Sequence, residues 1–211
     1  MKILIVTDAY FPQVNGVVRT LHETGEVLKS QGHTLEYITP QQFLTVPMPK
    51  YNEIRLSINV WPRVSNLINS IKPDAIHIAT EGPLGFMARR HCIKKGLKFT
   101  TSFHTRFDKY IKLYMPIIPA KWSEKFLCNF HNKAERILIT TESMREELIA
   151  LGVDNSLFYR ATGKEIGTIL TQNQVFSFNH TTANDGSGGA SNTNANLQAN
   201  TTIQTARYMT Y

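Results

Sequence analysis

Short apolar runs alternate with stretches of helical periodicity from residue 1 to about residue 155. The apolar runs predict buried strands, and apolar residues that recur three or four positions apart predict amphipathic helices. Strands that alternate with helices form a parallel sheet with helices on both faces and right-handed connections. The sequence therefore predicts an α/β fold, a Rossmann-like doubly wound parallel sheet, in residues 1–155.

The predicted elements can be placed along the chain from these patterns. Five apolar runs are predicted strands: residues 2–8, 33–39, 75–80, 98–105 and 136–141. Three of the predicted helices are recognised by one apolar face: Val17, Leu21, Gly25 and Leu28 in the first, a face that starts at Trp61 in the second, and Trp122, Phe126 and Phe130 in the fourth. The third predicted helix spans residues 82–96. The last predicted helix begins at a capping box of Ser143 and Glu146. Residues 40–60 contain three prolines and are predicted to be a long loop with one short strand at "IRLSI" (54–58).

The composition changes after residue 155. More than half of residues 156–211 are Asn, Thr, Ser, Gln or Gly, and only five of them are charged. Such a stretch has too few apolar residues to bury a core. We therefore expect residues 156–211 to be a disordered or non-native tail, separate from the domain in residues 1–155.

Composition excludes several classes of protein. No apolar run approaches the length of a membrane-spanning helix or of a signal-peptide core, and the only two cysteines, Cys92 and Cys128, lack metal-type spacing. The formal charge of +7 is spread along the chain and is compatible with nucleic acid, an anionic membrane or an anionic substrate. No zinc motif, nucleophile elbow or close carboxylate pair is present, so hydrolase chemistry has no support.

Three polar segments follow predicted strands. They are the turn around Gly16, "TEGPLG" after the third strand, and "SFHTRF" after the fourth. In parallel sheets, ligands bind beyond the carboxyl ends of the strands. The three segments are therefore expected to meet at one edge of the sheet and to form a site.

The turn at Gly16 is typical of an anion site at a helix N-terminus. The glycine allows close approach to the backbone, the first amides of the helix point at the ligand, and Arg19 adds a positive charge. A plain strand-to-helix turn explains one glycine equally well. Neither a dinucleotide fingerprint nor a P-loop pattern occurs.

His104 and Glu81 are the other candidate site residues. An imidazole at a strand end, beside Thr105 and Arg106, could donate to a sugar hydroxyl or to a developing charge. Alternatively, His104 bonds the loop backbone and is purely structural. Glu81 could orient a hydroxyl, or it could be a carboxylate stabilised by a helix N-terminus.

A basic cluster lies at the end of the third predicted helix. It consists of Arg89, Arg90, Lys94, Lys95 and Lys98, and an aromatic and basic run follows at residues 106–122. Such residues could rest on anionic lipid, or they could form a solvated helix face beside a packed aromatic stripe.

Four ordered segments resemble a known family. They are "TDAYFPQVNGVVRTL", "IHIATEGPLGFMARR", "FTTSFHTRF" and "FHNKAERILITTESMREEL". They are similar to the N-terminal domain of retaining GT-B glycosyltransferases, and most of all to the group of GDP-mannose-dependent α-mannosyltransferases and sulfolipid synthases. The resemblance covers about residues 1–155.

The resemblance implies roles for the candidate residues. It implies that Asn15 and Gly16, with Arg19, approach the diphosphate of the donor, and that His104 lies near the transferred sugar and takes part in catalysis. It leaves Glu81, Thr105 and Arg106 as candidates on the side of the acceptor and sugar. It implies no metal and no cofactor; the partners are a nucleotide sugar, possibly GDP-mannose, and a lipid or glycan acceptor, not nucleic acid.

The resemblance ends near residue 155, where family members continue into a second domain that binds the nucleotide. The leading hypothesis is a truncated glycosyltransferase with little activity alone, located in the cytoplasm with peripheral contact to the inner face of an anionic membrane. The alternative is a non-catalytic module that binds the acceptor lipid or glycan and works with a separate donor-binding chain.

Overall fold

A parallel sheet of five strands forms the centre of the protein in the computed structural model, which describes residues 1–48, 51–104, 120–139 and 141–158. The strands of this sheet are β1 (Lys2–Val6), β2 (Thr34–Ile38), β5 (Ala75–Ile78), β6 (Thr100–Ser102) and β7 (Arg136–Leu138). Their order is β2-β1-β5-β6-β7, and every neighbouring pair is parallel. The predicted α/β fold is confirmed.

Five helices are described, and they cover both faces of the sheet. They are α1 (Gly16–Ser30), α2 (Arg63–Ile71), α3 (Pro83–Lys95), α4 (Ala120–His131) and α5 (Glu142–Leu151). On one face, Leu21 and Leu28 of α1 pack against Ile3 and Ile5. The other four helices contribute to the larger core cluster on the opposite face, which contains Leu4, Val6, Ile76 and Ile78. The alternation of side chains along each strand places successive residues in these two cores.

The region predicted as a long loop contains a second, smaller sheet. After a single 3-10 turn at Pro40–Gln42, β3 (Leu44–Met48) and β4 (Tyr51–Ile58) pair as an antiparallel hairpin. The predicted strand at residues 54–58 is confirmed as part of β4, whereas β3 lies where a loop was predicted, and that part of the prediction was wrong. Pro47 suggested a loop, because proline is rare inside strands. Proline is tolerated at bulges, and the register of this hairpin shifts between Pro47 and Met48.

Three predicted helix features are corrected by the structure. Trp61 precedes α2 and is 61% exposed, and Trp122, on α4, is 74% exposed, so neither tryptophan belongs to a buried helix face. The N-cap of α5 is Thr141, whose hydroxyl accepts a hydrogen bond from the amide of Met144 at 3.2 Å. The helix thus starts before Ser143, and the predicted capping box of Ser143 and Glu146 does not open it.

Packing continues past residue 155, where the sequence placed the end of the domain. Phe158 forms a parallel bridge with Ile137 of β7, and Leu157 and Phe158 contact the larger core. The predicted tail from residue 159 onward lies outside the described residues. Among the residues that are described, none of the helices is long and apolar enough to cross a membrane.

Candidate functional site

The N-terminus of α1 carries two amides without a partner among the described residues. The side chain of Asn15 caps the helix and accepts a hydrogen bond from the amide of Val18 at 3.0 Å, and its carbonyl accepts from the amide of Arg19 at 3.1 Å. The amides of Gly16 and Val17 precede the hydrogen-bond ladder of the helix. These two N–H groups, at the positive end of the helix dipole, can bind an anion.

The structure assigns different local tasks to the three residues predicted for this turn. Asn15 uses its side chain for the cap, so the atoms of the turn that remain free for a ligand belong to the backbone. Gly16 is the first residue of the helix and is half-buried. The side chain of Arg19, one turn further on, is exposed and has no recorded partner among the described residues, so it is available to an anion.

Asp8 joins the end of β1 to the start of α3, a role that the sequence reasoning missed. Its carboxylate accepts hydrogen bonds from the amides of Leu84 at 2.9 Å and Gly85 at 3.2 Å, and from the hydroxyl of Thr80 at 2.9 Å. The hydroxyl of Thr80 in turn accepts from the amide of Asp8 at 2.7 Å. A carboxylate thus caps α3 from another strand, and the ends of β1 and β5 are tied together.

The surroundings of Asp8 perturb its titration. Burial raises the pKa of this carboxyl to about 6, against the opposing effect of the hydrogen bonds from Leu84, Gly85 and Thr80. The negative charge of Glu81 raises the pKa further. The signal in the sequence was a carboxylate directly after a buried strand, although its partners lie more than seventy residues away.

Glu81 contacts a buried histidine. Its Oε1 lies 3.2 Å from Nε2 of His131, and Nδ1 of His131 lies 2.9 Å from the hydroxyl of Thr101. His131 is fully buried at the end of α4, and Thr101 lies on β6. The carboxylate therefore links the loop after β5 to α4 and β6. This contact positions Glu81, whose proposed role toward an acceptor remains a prediction.

His104 is a buried imidazole at the end of β6. It is 5% exposed, and neither ring nitrogen has a hydrogen-bond partner among the described residues. Burial lowers the pKa of His104 to about 4, so the ring is neutral at pH 7. A neutral imidazole with free nitrogens can donate to one oxygen and accept from another. The alternative, a histidine that bonds the loop backbone, stays a prediction, because residues 105–119 lie outside the described residues.

A second buried histidine lies close to His104. His77 of β5 has its Nδ1 2.8 Å from the hydroxyl of Thr100 and its Nε2 2.8 Å from the hydroxyl of Ser102. Burial, followed by the proximity of His104, lowers the pKa of His77 to about 3. His77 and the two hydroxyls therefore form a neutral polar layer on the sheet immediately before His104.

These groups share the carboxyl edge of the sheet. Asp8, Glu81 and His104 follow the neighbouring strands β1, β5 and β6, and α1 begins after β1. The order of the strands reverses at β1, which is where open α/β sheets bind ligands. Thr105 and Arg106 lie outside the described residues. Among the residues that are described, no group of three or more histidine, cysteine or acidic side chains has the geometry of a metal site.

The fold and this edge define a Rossmann-like domain, and comparison with known proteins gives the family. Residues 14–159 match Glycosyltransferase Family 4. Because the match covers more than half of the chain, the protein belongs to this family.

Curated relatives act on different sugars, as their names state. A GDP-mannose-dependent α-mannosyltransferase of Corynebacterium glutamicum is 24% identical over 182 aligned residues, which cover 77% of this chain and 43% of that protein. A sulfoquinovosyl transferase of Arabidopsis thaliana is 26% identical and covers 71% of this chain and 32% of its own length. The chain thus spans less than half the length of these relatives.

Solved structures show a similar arrangement at low identity. Anabaena Alr3699/HepE, in complex with UDP and glucose, is 13% identical, with a TM-score of 0.48 over 75% of this chain and 43% of that chain.

Proposed function

We propose that this chain forms the acceptor-side half of a retaining glycosyltransferase that transfers a hexose, mannose from GDP-mannose in the leading case, to a hydroxyl of a lipid or glycan. The observation that carries the proposal is the unpartnered neutral imidazole of His104, at the same edge of the sheet as the free amides of α1. Membership of glycosyltransferase family 4 supports the class of reaction.

Each group has a chemical task in this proposal. The diphosphate that leaves the sugar gains negative charge, and the amides of Gly16 and Val17, with Arg19, stabilise that charge from fixed positions. His104, neutral and shielded from water, hydrogen-bonds the sugar near the bond that breaks. Glu81, Thr105 and Arg106 are the proposed contacts to the acceptor and sugar, and the proposal includes no metal or cofactor.

The names of relatives support the proposed classes of donor and acceptor. One curated relative is a mannosyltransferase that depends on GDP-mannose. Another is an α-monoglucosyldiacylglycerol synthase of Streptococcus pneumoniae, 23% identical over 53% of this chain and 28% of that protein, whose name includes a diacylglycerol lipid. These names support a nucleotide-sugar donor and a lipid acceptor.

Binding of the diphosphate can be tested on the chain alone. On titration with GDP, we expect saturable shifts of the ¹⁵N–¹H signals of Gly16 and Val17, and about fivefold weaker binding in Arg19→Gln, because one charge-assisted contact is lost. Lys125→Gln removes the same charge from an exposed position of α4 and should bind as tightly as the parent. Shifts that avoid α1, or equal affinity in both variants, would contradict the assignment.

Turnover is a separate question, because the relatives extend over more than twice the length that this chain matches. We expect the chain alone to release GDP from GDP-mannose, with diacylglycerol present, no faster than His104→Ala. Faster release that His104→Ala abolishes would disprove the low activity while supporting the transferase chemistry. An acceptor-binding module that works with a separate donor-binding chain would instead bind anionic vesicles without any nucleotide sugar and show no saturable shifts with GDP.

We also propose a cytoplasmic location with peripheral contact to an anionic membrane. The structure corrects the basic cluster on which this contact depends, because the guanidinium of Arg89 is buried and donates to the carbonyls of Asn129 and Phe130. Arg90, Lys94, Lys95 and Lys98 remain exposed. Residues 106–119 of the aromatic and basic run lie outside the described residues.

A further inference from the structure

A groove between α2 and α3 lies outside the carboxyl edge of the sheet. Trp61, Ser65 and Asn69 line one wall at intervals of four residues, and Met87, His91 and Lys95 line the other wall with the same spacing. Pro62, Arg90 and Lys94 complete the lining of a cavity of about 210 Å³. Both walls are therefore single helix faces, and the space between them is open to solvent.

The groove is positively charged, and no acidic residue of α2 or α3 neutralises this charge. Neither α2 nor α3 contains an aspartate or a glutamate. Arg90, Lys94 and Lys95 are exposed, and the described part of the chain supplies no ion pair or hydrogen bond to any of them. Lys94 and Lys95 also face the negative end of the dipole of α3, which accounts for part of their placement. Arg90 lies more than one turn from that end, so the dipole does not explain it.

His91 is an unpaired polar group within this lining. The residue is 6% exposed, and its buried Nε2 has no hydrogen-bond partner among the described residues. Burial, and then the charges of Lys95 and Lys94, lower the pKa of His91, so the ring is neutral at pH 7. A buried nitrogen without a partner is costly, and an oxyanion that accepts a hydrogen bond from it relieves that cost.

Apart from Ser65 and Asn69, the remaining lining is apolar. The ring of Trp61 is 61% exposed at the mouth of the groove, and Met87 and Pro62 lie beside it. Cations next to an exposed aromatic ring suit a ligand with an anionic group and an attached apolar portion. Inorganic anions alone would use the cations and leave the apolar wall in water.

We propose that the groove between α2 and α3 binds an organic phosphate, with the phosphate held by Arg90, Lys94, Lys95 and the ring of His91 and the apolar portion against Trp61. The ligand is either a soluble phosphate ester or the phosphate headgroup of a lipid, since both present the same chemistry. This site is separate from the proposed transferase site and does not depend on it.

The fluorescence of Trp61 can report binding in the full chain. Trp122→Phe removes the other tryptophan, which is 74% exposed and therefore safe to replace. The probes are inorganic phosphate, octyl phosphate, and phosphatidylcholine vesicles with and without phosphatidic acid. Saturable changes with octyl phosphate indicate a soluble ester, and changes only with vesicles that contain phosphatidic acid indicate a lipid headgroup; either result supports the site.

Two triple variants distinguish binding in the groove from a general effect of the protein's positive charge. Arg90→Gln with Lys94→Gln and Lys95→Gln should weaken binding at least about tenfold, because charge-assisted contacts are lost. Lys29→Gln with Lys125→Gln and Lys133→Gln removes three exposed cations elsewhere and should leave the affinity unchanged. His91→Phe, which keeps the ring volume, should weaken binding several-fold. No saturable change with any probe, or equal affinity in the two triple variants, would overturn the proposal.

Discussion

Asp8 is the residue whose ionisation is most closely coupled to a tertiary contact at the proposed transferase edge. Burial raises its pKa from 3.8 to about 6, so the folded protein binds this proton more tightly than the unfolded chain does. Between those two values the slope of unfolding free energy against pH is therefore negative. Stability from this group is present below pH 4 and declines as the pH rises through 6.

Asp8→Asn should remove that decline. We expect the difference in unfolding free energy between parent and variant to change by about 1–2 kcal/mol from pH 4 to pH 6.5, after allowance for partial solvent exposure. Urea unfolding of both proteins at closely spaced pH values measures this difference in unfolding free energy. Asp154→Asn is the control: hydrogen bonds from Ser156 lower the pKa of Asp154, so its titration lies below this range. A variant with the pH profile of the parent would show that Asp8 is not the group responsible.

For individual residues, the sequence predicted where a polar side chain lies in the fold better than it predicted which groups that side chain contacts. His104 and Glu81 were correctly expected at strand ends, since polar residues after apolar runs mark the carboxyl edge. The contact of Glu81 with His131 could not be predicted, because it joins residues fifty positions apart. Asn15 was expected near a ligand, whereas its side chain caps α1, a competing use of the same residue type.

The packing of α3 on β5 depends on a glycine. A Cβ added at Gly85 would collide with the carbonyl oxygen of Thr80, a backbone atom that cannot turn aside. Gly85→Ala should therefore lower the unfolding free energy by at least about 2 kcal/mol, despite the better helix propensity of alanine. Chemical denaturation of the purified variant gives this value directly.

Gly25→Ala provides the matched comparison within α1. There the added Cβ would meet the hydroxyl of Tyr37, the far end of a side chain that can rotate. We expect this variant to stay within about 1 kcal/mol of the parent, because the gain in helix propensity offsets the adjustment. Equal losses for the two alanine variants would mean that backbone contact at Gly85 is not what limits α3.

The sequence predicts helices and strands whose apolar residues recur regularly. It does not predict elements whose existence or boundary depends on contacts with other segments. The strands β1 and β5 are short runs buried almost throughout, and their sequence pattern predicts them. The strand β2 alternates exposed and partly buried residues, and β6 consists of three buried hydroxyl residues, so their patterns are weaker. The hairpin of β3 and β4 is stabilised by pairing between neighbouring segments, and Pro47 hid it. Thr141 and Ser143 are both good caps, and the choice between them depends on how Met144 and Leu148 reach the core.

The molecule as a whole holds its helical layer together through Arg89. This side chain was predicted on a basic surface, yet its Nε donates to the carbonyl of Phe130 at 2.9 Å and its guanidinium lies over the ring of the same residue. The next residue, His131, contacts Glu81 at the carboxyl edge. Arg89 therefore connects α3 to the end of α4, where the next residue, His131, contacts the proposed site.

Arg89→Met tests this connection, with Arg90→Met as the neighbouring control. Methionine keeps much of the buried volume but leaves the carbonyls of Asn129 and Phe130 without their donor, so we expect a loss of about 2–4 kcal/mol in unfolding free energy. The exposed Arg90 should change stability by less than about 0.5 kcal/mol. If His131 acts through the same arrangement, the ring signals of His131 will also shift in Arg89→Met and stay in place in Arg90→Met. Comparable stability of the two variants would show instead that α4 is held by its apolar residues alone, Leu127 and Phe130 above all.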